Sequence, residues 1–321
     1  MSAQATGKNI KTFVSKIFNM YGIVVAFFAV CIVLSVLTPT FLTPTNLSNV
    51  IRQISMIGIT ATGMTFVIIG ADIDLSVGSV AALSGVLAAG FFSFNKMPVA
   101  LALVLPLLIA CAIGLVQGLV ITKGRIHSFV ASLGMLTIAR GVALVYTEGK
   151  PISGMSDEFR FIGGGSVWII PMPVILFVAV ILIALFVLTK TPYGKYVYAI
   201  GNNREATRLS GINVDGWRTL SFVICSFTAA LAGIILAARV SSGQPTSCEG
   251  WELDAIAAVI IGGTSMYGGR GGALKTLIGT LFLGVLRNGM NLLDVSPFYQ
   301  RIVMGALIIV AVLLDNLKKD E

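Results

Sequence analysis

The chain has 321 residues, of which 56% are hydrophobic and 11% are charged. Soluble domains carry about 25% charged residues, so this composition excludes a soluble globular protein and predicts a membrane protein. The net charge of +8 lies in loops between apolar segments, without the basic helix that would follow nucleic-acid phosphates, which excludes a nucleic-acid-binding protein. Four cysteines are too few for a disulfide framework, and the single histidine, His127, cannot build a metal site.

Ten apolar segments follow one another along the chain, and each is a candidate transmembrane helix. They are 21–37, 53–70, 77–93, 98–121, 128–146, 167–188, 219–238, 253–267, 274–292 and 300–315. We therefore predict an all-α polytopic membrane protein with about ten transmembrane helices. Residues 1–20 would form an N-terminal cytoplasmic segment, residues 21–315 the transmembrane domain, and residues 316–321 a cytoplasmic tail.

Lys and Arg residues concentrate in alternate loops, and this asymmetry predicts that both chain ends are cytoplasmic. The outer loops then carry seven of the 14 acidic residues, which form either a solvated surface or a docking rim for a soluble partner. These are Glu148, Asp157, Glu158, Glu249, Glu252, Asp254 and Asp294. Arg140 and Arg287 fall inside predicted helices, where they either extend to the membrane surface or line a path.

Two of the connections between apolar segments are alike. The second and third segments meet at 70–78, and the eighth and ninth meet at 262–272. Both connections begin with the letters VIIG, at Val67–Gly70 and at Val259–Gly262. Glycine-interrupted segments in corresponding positions indicate two weakly similar halves with a translocation path between them.

The polar residues of these connections are the candidate pathway residues. They are Asp72, Asp74, Ser76, Gly78, Thr264 and Ser265. Other interpretations stay open. Asp74 could serve simply as a cap of the third helix, and residues 268–272 could be no more than a tight turn. Asp72 and Asp74 could also bind a proton or cation in an ion-coupled secondary transporter, which is a different class of protein.

The longest polar interruption is the basic loop 189–218, predicted to be cytoplasmic. Within it, Asn203 suits a helix N-cap, Glu205 suits the first turn and Gly211 suits the left-handed position after the last turn. Such a short helix either lies on lipid headgroups or binds a protein, and its few apolar residues favour the protein. The candidate contact residues are Asn203, Glu205, Ala206, Arg208, Leu209, Ser210 and Gly211.

The sequence contains no nucleotide-binding loop of its own. The nearest match, Gly271–Thr276, lacks the glycine that precedes the lysine in a P-loop. We therefore expect no enzymatic activity and no cofactor in this chain, and we expect any ATP hydrolysis to occur in a separate subunit.

Three stretches carry a resemblance to a known family: Asp72–Gly78 (DIDLSVG), Gly201–Val214 (GNNREATRLSGINV) and Leu253–Gly263 (LDAIAAVIIGG). Over nearly its whole length the chain resembles the permease subunits of bacterial ABC importers for monosaccharides. Two features depart from the family pattern: Ala71 stands where many members have glycine, and Cys248–Trp251 is unusual.

The resemblance implies a homodimer of this chain in the bacterial inner membrane. It further implies two copies of a cytoplasmic ABC ATPase, which contact the 203–211 helix and drive alternating access, and a periplasmic sugar-binding protein that delivers the substrate. Ribose is the expected sugar, with xylose, arabinose, galactose and allose as alternatives.

Overall fold

The computed structural model describes residues 22–317. The predicted N-terminal segment 1–20 and residues 318–321 of the predicted tail lie outside this range. Its helices are α1 (Gly22–Leu37), α2 (Pro44–Ile69), α3 (Val77–Ser93), α4 (Val99–Thr122), α5 (Ser128–Thr147), α6 (Asp157–Gly164), α7 (Met172–Lys190), α8 (Pro192–Asn202), α9 (Arg204–Leu209), α10 (Val214–Val240), α11 (Trp251–Ile261), α12 (Ala273–Leu292) and α13 (Pro297–Leu317).

Four two-residue strands complete the fold. They are β1 (Ile152–Ser153), β2 (Ser166–Val167), β3 (Ile170–Pro171) and β4 (Ser242–Gly243). The first pairs with the fourth and the second with the third, both antiparallel. These strands are too short to form a layer, so the fold class is all-α.

Five helices are long and apolar enough to cross a bilayer: α2, α4, α5, α7 and α10. Three of them, α4, α5 and α7, bury less than a third of their apolar span inside the protein. Their exposed side chains are large and apolar, such as Leu182, Ile183 and Phe186 on α7. Contact between water and apolar surfaces of this size is unfavourable, so these helices face lipid. The chain is therefore a multi-pass membrane protein, as the composition predicted.

α10 occupies the centre of the bundle, where it packs against α2, α3 and α4. The crossing with α3 is close because Gly233 lies directly against the backbone of Ala81, and a Cβ atom at Gly233 would overlap the Ala81 carbonyl oxygen. Fully buried side chains such as Phe222 and Ile234 on α10 fill the core around this contact.

Two ends of the bundle can be distinguished by the short helices that they carry. At the α9 end, α8 and α9 connect α7 to α10. At the α6 end, α6 packs against the last turns of α10, where Gly163 lies against Ala238 and Arg239. α2, α4 and α13 all finish towards the α9 end, since their final residues lie near α8, the start of α10 and the 262–272 connection.

Residues 241–250 fold back from the end of α10 into the bundle. Arg140 on α5 donates hydrogen bonds to the carbonyl oxygens of Pro245 and Ser247. The Cys248 carbonyl oxygen and the Glu252 carboxylate lie against Gly78, at the start of α3. α11 therefore begins inside the protein, next to the first turn of α3.

The observed helices differ from the predicted segments mainly at their ends. α2 begins nine residues before the predicted start at 53, because Thr43 caps it and Pro44 occupies its first position. α11 ends at Ile261, so the predicted segment 253–267 is wrong in its final part. Its eleven residues span about 16 Å at 1.5 Å per residue, roughly half the thickness of a hydrocarbon core.

Candidate functional site

The first connecting segment, residues 70–76, leaves α2 through a Schellman motif. The N–H of Ala71 donates to the carbonyl oxygen of Ile68 at 2.9 Å, and the N–H of Asp72 donates to that of Val67 at 3.1 Å. These two bonds satisfy carbonyl groups that the end of a helix leaves free. The geometry requires a left-handed residue, and Ala71 supplies it with a φ of 59°.

The second connecting segment, residues 262–272, leaves α11 in the same way. The N–H of Gly263 donates to the carbonyl oxygen of Ile260 at 2.8 Å, and the N–H of Thr264 donates to the carbonyl oxygen of Val259 at 3.1 Å. Gly263 occupies the left-handed position with a φ of 101°. The letters VIIG that open both connections thus have the same local structure.

The two connecting segments meet at the α9 end of the bundle. The N–H of Gly269 donates a hydrogen bond to the carbonyl oxygen of Ile69 at 2.9 Å. Gly201, in the last turn of α8, lies between them, and a Cβ atom there would overlap both the Ile69 oxygen and the Gly269 nitrogen. Only glycine fits this position, so the backbones of α2, α8 and the second segment lie in direct contact.

Asp72 forms an ion-pair network with two arginines. Its carboxylate accepts two parallel hydrogen bonds from Arg218, in the first turns of α10, at 2.8 and 2.9 Å. Arg204, the first residue of α9, lies 3.0 Å from the same carboxylate. The Asp72 side chain is only 5% exposed, so the two guanidinium groups compensate a charge that burial would otherwise disfavour.

Arg204 also holds the backbone of the first connecting segment. Its Nη2 atom donates to the carbonyl oxygens of Gly70 at 3.0 Å and Ala71 at 2.7 Å. α9 is therefore attached by a single side chain to the left-handed turn that ends α2. The sequence motifs did not single out Arg204. The helix dipole disfavours a cation at the first position of a helix, so the position of Arg204 could have indicated that it binds an acidic or carbonyl partner elsewhere.

Asp74 lies in a buried polar cluster with Ser76 and Gln117. One carboxylate oxygen accepts from the Ser76 N–H at 2.9 Å and from the Ser76 hydroxyl at 2.6 Å. The Ser76 oxygen is also 3.0 Å from the side-chain amide of Gln117 on α4. The second oxygen of Asp74 and the amide nitrogen of Gln117 are buried without a hydrogen-bond partner among residues 22–317.

The geometry of Asp74 differs from that of a conventional helix cap. Ser76 is the N-cap residue of α3, and its own side chain makes no capping bond. Asp74 accepts the N–H of that N-cap residue, two positions before the first N–H group that a conventional cap satisfies. Asp74 therefore stabilises the turn that leads into α3, while one of its oxygens remains available.

The remaining candidate pathway residues have structural contacts of their own. Gly78 allows the fold-back segment to approach α3, since a Cβ atom there would stand 2.5 Å from the Cys248 carbonyl oxygen. Thr264 is buried, and its hydroxyl oxygen accepts the N–H of Gly272 at 3.3 Å. The Ser265 hydroxyl donates to Asp315 on α13 at 3.0 Å. Together with the Ser265–Arg270 backbone bond, these contacts make residues 262–272 a tight turn.

α9 has the capping residues that the sequence predicted. The Asn203 side chain accepts the N–H of Ala206 at 3.0 Å, Glu205 and Arg208 pair across the helix at 3.5 Å, and Gly211 is left-handed with a φ of 81°. Arg204 and Thr207 face the bundle, whereas the candidate contact residues are exposed. Among them the Leu209 side chain is 81% exposed, an apolar surface that a partner could cover.

A pocket of about 680 Å³ lies between α9 and the first connecting segment. Arg125, His127, Arg208 and Asp215 line it together with the arginines that bind Asp72. Arg208 and Asp215 are 3.5 Å apart, so α9 contacts the start of α10 on this side as well. α9 is therefore fixed to the bundle through Arg204 and Arg208, and the Leu209 side chain remains exposed.

The predicted intramembrane arginines both find partners inside the protein. Arg287 forms two hydrogen bonds with Asp254 on α11, at 2.9 and 2.8 Å, and Arg140 binds the carbonyl groups of the fold-back segment. Neither therefore has to reach the membrane surface. Asp254 is buried, so it does not belong to an exposed acidic rim.

Comparison with known proteins identifies relatives over most of the chain. The ribose import permease protein of Haemophilus influenzae is 46% identical over 288 residues, which cover 88% of this chain and 89% of that protein. That of Bacillus subtilis is 46% identical over 293 residues, covering 91% of each. The L-arabinose transport system permease protein of Escherichia coli is 38% identical over 313 residues, covering 95% of this chain and 92% of that protein. No solved structure matches the chain. Residues 46–312 match the family described as branched-chain amino acid transport system / permease component, and the chain belongs to this family.

Proposed function

We propose that the chain is the permease subunit of an ATP-driven sugar importer and carries ribose across the bacterial inner membrane. The ribose import permeases, which match at 45–46% identity, support this substrate above the arabinose and allose permeases, which match at 38% and 37%. Xylose, arabinose, galactose and allose are the alternative cargoes, and an uptake assay separates them.

The observation that carries the proposal is the connection between α9 and Asp72. Arg204 joins the exposed α9 helix to the Asp72 carboxylate and to the backbone of residues 70 and 71. A subunit that moves α9 would thereby move the connection between α2 and α3. We propose that Asn203, Glu205, Ala206, Arg208, Leu209, Ser210 and Gly211 contact a cytoplasmic ABC ATPase, and that Arg204 transmits its motion.

We propose a membrane arrangement with about ten crossings and both chain ends in the cytoplasm. In this arrangement residues 1–20 and 316–321 flank a transmembrane domain, residues 21–315, and the loop 189–218 is the cytoplasmic coupling loop. The shared Schellman motifs at Ala71 and Gly263 support two weakly similar halves with glycine-rich helix breaks. α11 is too short to cross the bilayer alone, so we assign it and the fold-back segment together to one crossing.

The candidate pathway residues divide by their contacts. Asp72 serves the α9 connection, because both of its oxygens are bound by arginines. Asp74 and Gln117, which Ser76 connects, keep buried polar atoms without a partner among residues 22–317, and we propose Asp74 and Ser76 as part of the path at the α9 end. Gly78, Thr264 and Ser265 belong to the two connections that we propose change position when the path opens.

The partners follow from the same proposal. Two copies of this chain would form the translocation path, two ATPase subunits would bind α9 and its symmetry mate, and a periplasmic sugar-binding protein would deliver the sugar at the α6 end. The chain itself would catalyse no reaction and bind no cofactor.

One observation favours a second candidate, an ion-coupled secondary transporter. The free oxygen of Asp74 is buried without a partner in the described part of the chain, as a proton- or cation-binding carboxylate would be. Asp72 does not support this candidate, because its pairing with Arg218 and Arg204 leaves it no free charge.

The test is uptake by proteoliposomes that contain the chain, an ABC ATPase subunit and a periplasmic sugar-binding protein from the same organism. Radiolabelled ribose, xylose, arabinose, galactose and allose are offered in turn, with ATP inside or outside the vesicles. We expect ribose uptake that depends on ATP on the side of α9 and is insensitive to a protonophore. Uptake that a protonophore abolishes and ATP does not support would instead establish the secondary transporter.

A further inference from the structure

A second cavity, of about 250 Å³, lies between α2, α10, α11, α12 and α13. Its lining includes Arg239 in the last turn of α10 and Arg287 close to the end of α12. Both positions are on the α6 side of the bundle, away from the junction of the connecting segments. The cavity is thus separate from the Asp72 network and from the pocket beside α9.

The polar centre of this cavity is the pair formed by Asp254 and Arg287. Two N–H groups of the guanidinium bind the two carboxylate oxygens. A carboxylate can accept about four hydrogen bonds and a guanidinium can donate five, so the pair keeps both acceptors and donors free. Sugar hydroxyl groups donate and accept at once, and they can use both sides of such a pair.

The charges of the cavity indicate what it does not bind. The Asp254 carboxylate is neutralised by Arg287, and Arg239 adds a positive charge to the lining. A cation would therefore be repelled, and no negative charge remains to attract it. A neutral polyhydroxyl compound needs only the hydrogen-bonding capacity of the pair.

Two further side chains of the lining can contact a sugar. Trp251, the first residue of α11, contributes an aromatic surface, on which the C–H face of a sugar ring can pack. Gln53 on α2 contributes an amide that makes no hydrogen bond among residues 22–317. A cavity with apolar walls, one aromatic face and a few converging polar groups is the usual composition of a small-molecule site.

The volume fits a monosaccharide. A cavity of about 150 Å³ holds benzene, which has six non-hydrogen atoms. At the same volume per atom, about 250 Å³ holds ten, which is the number in a pentose.

We propose that this cavity binds the transported monosaccharide on its way through the protein, with Asp254, Arg287 and Gln53 as hydrogen-bonding groups and Trp251 as the stacking surface. The proposal rests on the proposed function and names the side chains that contact the sugar. It places the contacts in the half of the bundle opposite the ATPase-binding helix.

The experiment measures two quantities in the proteoliposomes described above: sugar uptake, and ATP hydrolysis stimulated by the sugar-loaded binding protein. The variants are Gln53→Leu, Trp251→Ala and Trp251→Tyr. Gln53→Leu removes an amide without breaking an internal hydrogen bond, so it should fold. The matched control is Phe186→Ala, because Phe186 is 60% exposed on α7 and does not line the cavity.

We expect Gln53→Leu and Trp251→Ala to lower ribose uptake about tenfold, the equivalent of one or two lost contacts. Stimulated ATP hydrolysis should stay within about twofold of the unmodified protein. Trp251→Tyr should recover most of the uptake, and Phe186→Ala should change neither quantity. The proposal fails if Gln53→Leu and Trp251→Ala leave uptake unchanged, or if uptake and hydrolysis fall together in every variant. Loss of the proposed function itself would look different, since the unmodified protein would then carry no monosaccharide.

Discussion

The guanidinium of Arg218 and the carboxylate of Asp72 face each other through two parallel hydrogen bonds, Nε to Oδ2 at 2.8 Å and Nη2 to Oδ1 at 2.9 Å. The two residues are 146 positions apart in the chain, and both side chains are largely buried. The pair therefore fixes the start of α10 to the connection between α2 and α3. Arg204 adds α9 to the same carboxylate, so one acidic residue joins three elements.

Replacing Asp72 with asparagine should destabilise the protein strongly. The substitution leaves the Arg218 guanidinium buried without its counter-charge, and breaking a buried pair from one side costs about 3–5 kcal/mol. Because Arg204 is partly exposed, we expect the free energy of unfolding to fall by about 3 kcal/mol. Thermal unfolding of the detergent-solubilised protein measures it.

The control for Asp72→Asn is Asp157→Asn. Asp157 also pairs with an arginine, Arg160, at 3.4 Å, but its side chain is 99% exposed. Exposed ion pairs contribute little, so this variant should unfold at the same temperature as the unmodified protein. Equal unfolding temperatures for both variants would show that the Asp72 network does not stabilise the α9 end.

Replacing Leu209 with aspartate should weaken binding of the ATPase without affecting the fold. Leu209 is 81% exposed, so its side chain contributes little to the stability of the chain alone. Burying a leucine in an interface contributes about 1.5–3 kcal/mol, so its loss should raise the Kd for the ATPase subunit at least about tenfold. Binding of the purified ATPase to the permease in nanodiscs provides the measurement.

Ile169→Asp is the matched control for Leu209→Asp. Ile169 is 86% exposed but lies in the β2–β3 turn, at the α6 end. Its replacement should leave the Kd for the ATPase unchanged. A normal Kd for the Leu209 variant would contradict the assignment of α9 as the ATPase contact.

The capped helix at 203–211 could be predicted because its signals are local. Asn203, Glu205 and Gly211 act within a few residues of one another, and each has the predicted position in α9. The apolar segments were predictable for the same reason, and each of the ten coincides in large part with a helix. Composition and short-range spacing are sufficient for features of this kind.

The site itself depends on contacts that local patterns do not encode. The Arg204–Asp72 contact and the Gly269–Ile69 hydrogen bond join residues far apart in the chain. Likewise, Glu252 and Asp254 read as outer-loop residues, because the apolar pattern does not reveal that residues 241–250 fold back into the bundle. Sequence reasoning therefore located the connecting segments but not what holds them together.

Ala71 and Gly263 offer a reciprocal test of the shared motif. Both occupy the left-handed position of a Schellman motif, where a Cβ atom costs about 1–2 kcal/mol. Ala71→Gly should therefore stabilise the protein by about 1 kcal/mol, and Gly263→Ala should destabilise it by a similar amount. A Cβ atom at Gly263 would meet only the Lys275 side chain at 3.7 Å, so the effect is one of backbone conformation.

Chemical or thermal unfolding of the two single variants and the double variant measures these differences. The double variant should match the unmodified protein, since the two changes should nearly cancel. Opposite signs in the single variants would support the shared geometry, whereas destabilisation by Ala71→Gly would mean that the methyl group of Ala71 contributes packing that outweighs its strain.

Replacing Gly211 with valine tests the orientation of α9 through its backbone alone. Gly211 has a φ of 81°, and the space beside it is open, with no atom within 4 Å of a Cβ position. A β-branched residue disfavours this conformation by at least about 1–2 kcal/mol, so the end of α9 should rearrange. We expect reduced assembly with the ATPase and reduced ATP-driven uptake, measured by co-purification and by the proteoliposome assay.

Gly134→Val separates this backbone effect from the effect of adding a side chain. Gly134, on α5, also has no atom within 4 Å of its Cβ position, but its φ is not left-handed. In a helix, valine is less favourable than the best helix formers by only about 0.5 kcal/mol, and glycine is less favourable still. Gly134→Val should therefore leave α5 intact, and assembly and uptake should persist. If Gly211→Val assembles and transports as well as Gly134→Val, the conformation of the α9 terminus does not matter for coupling, and the role assigned to residues 203–211 is wrong.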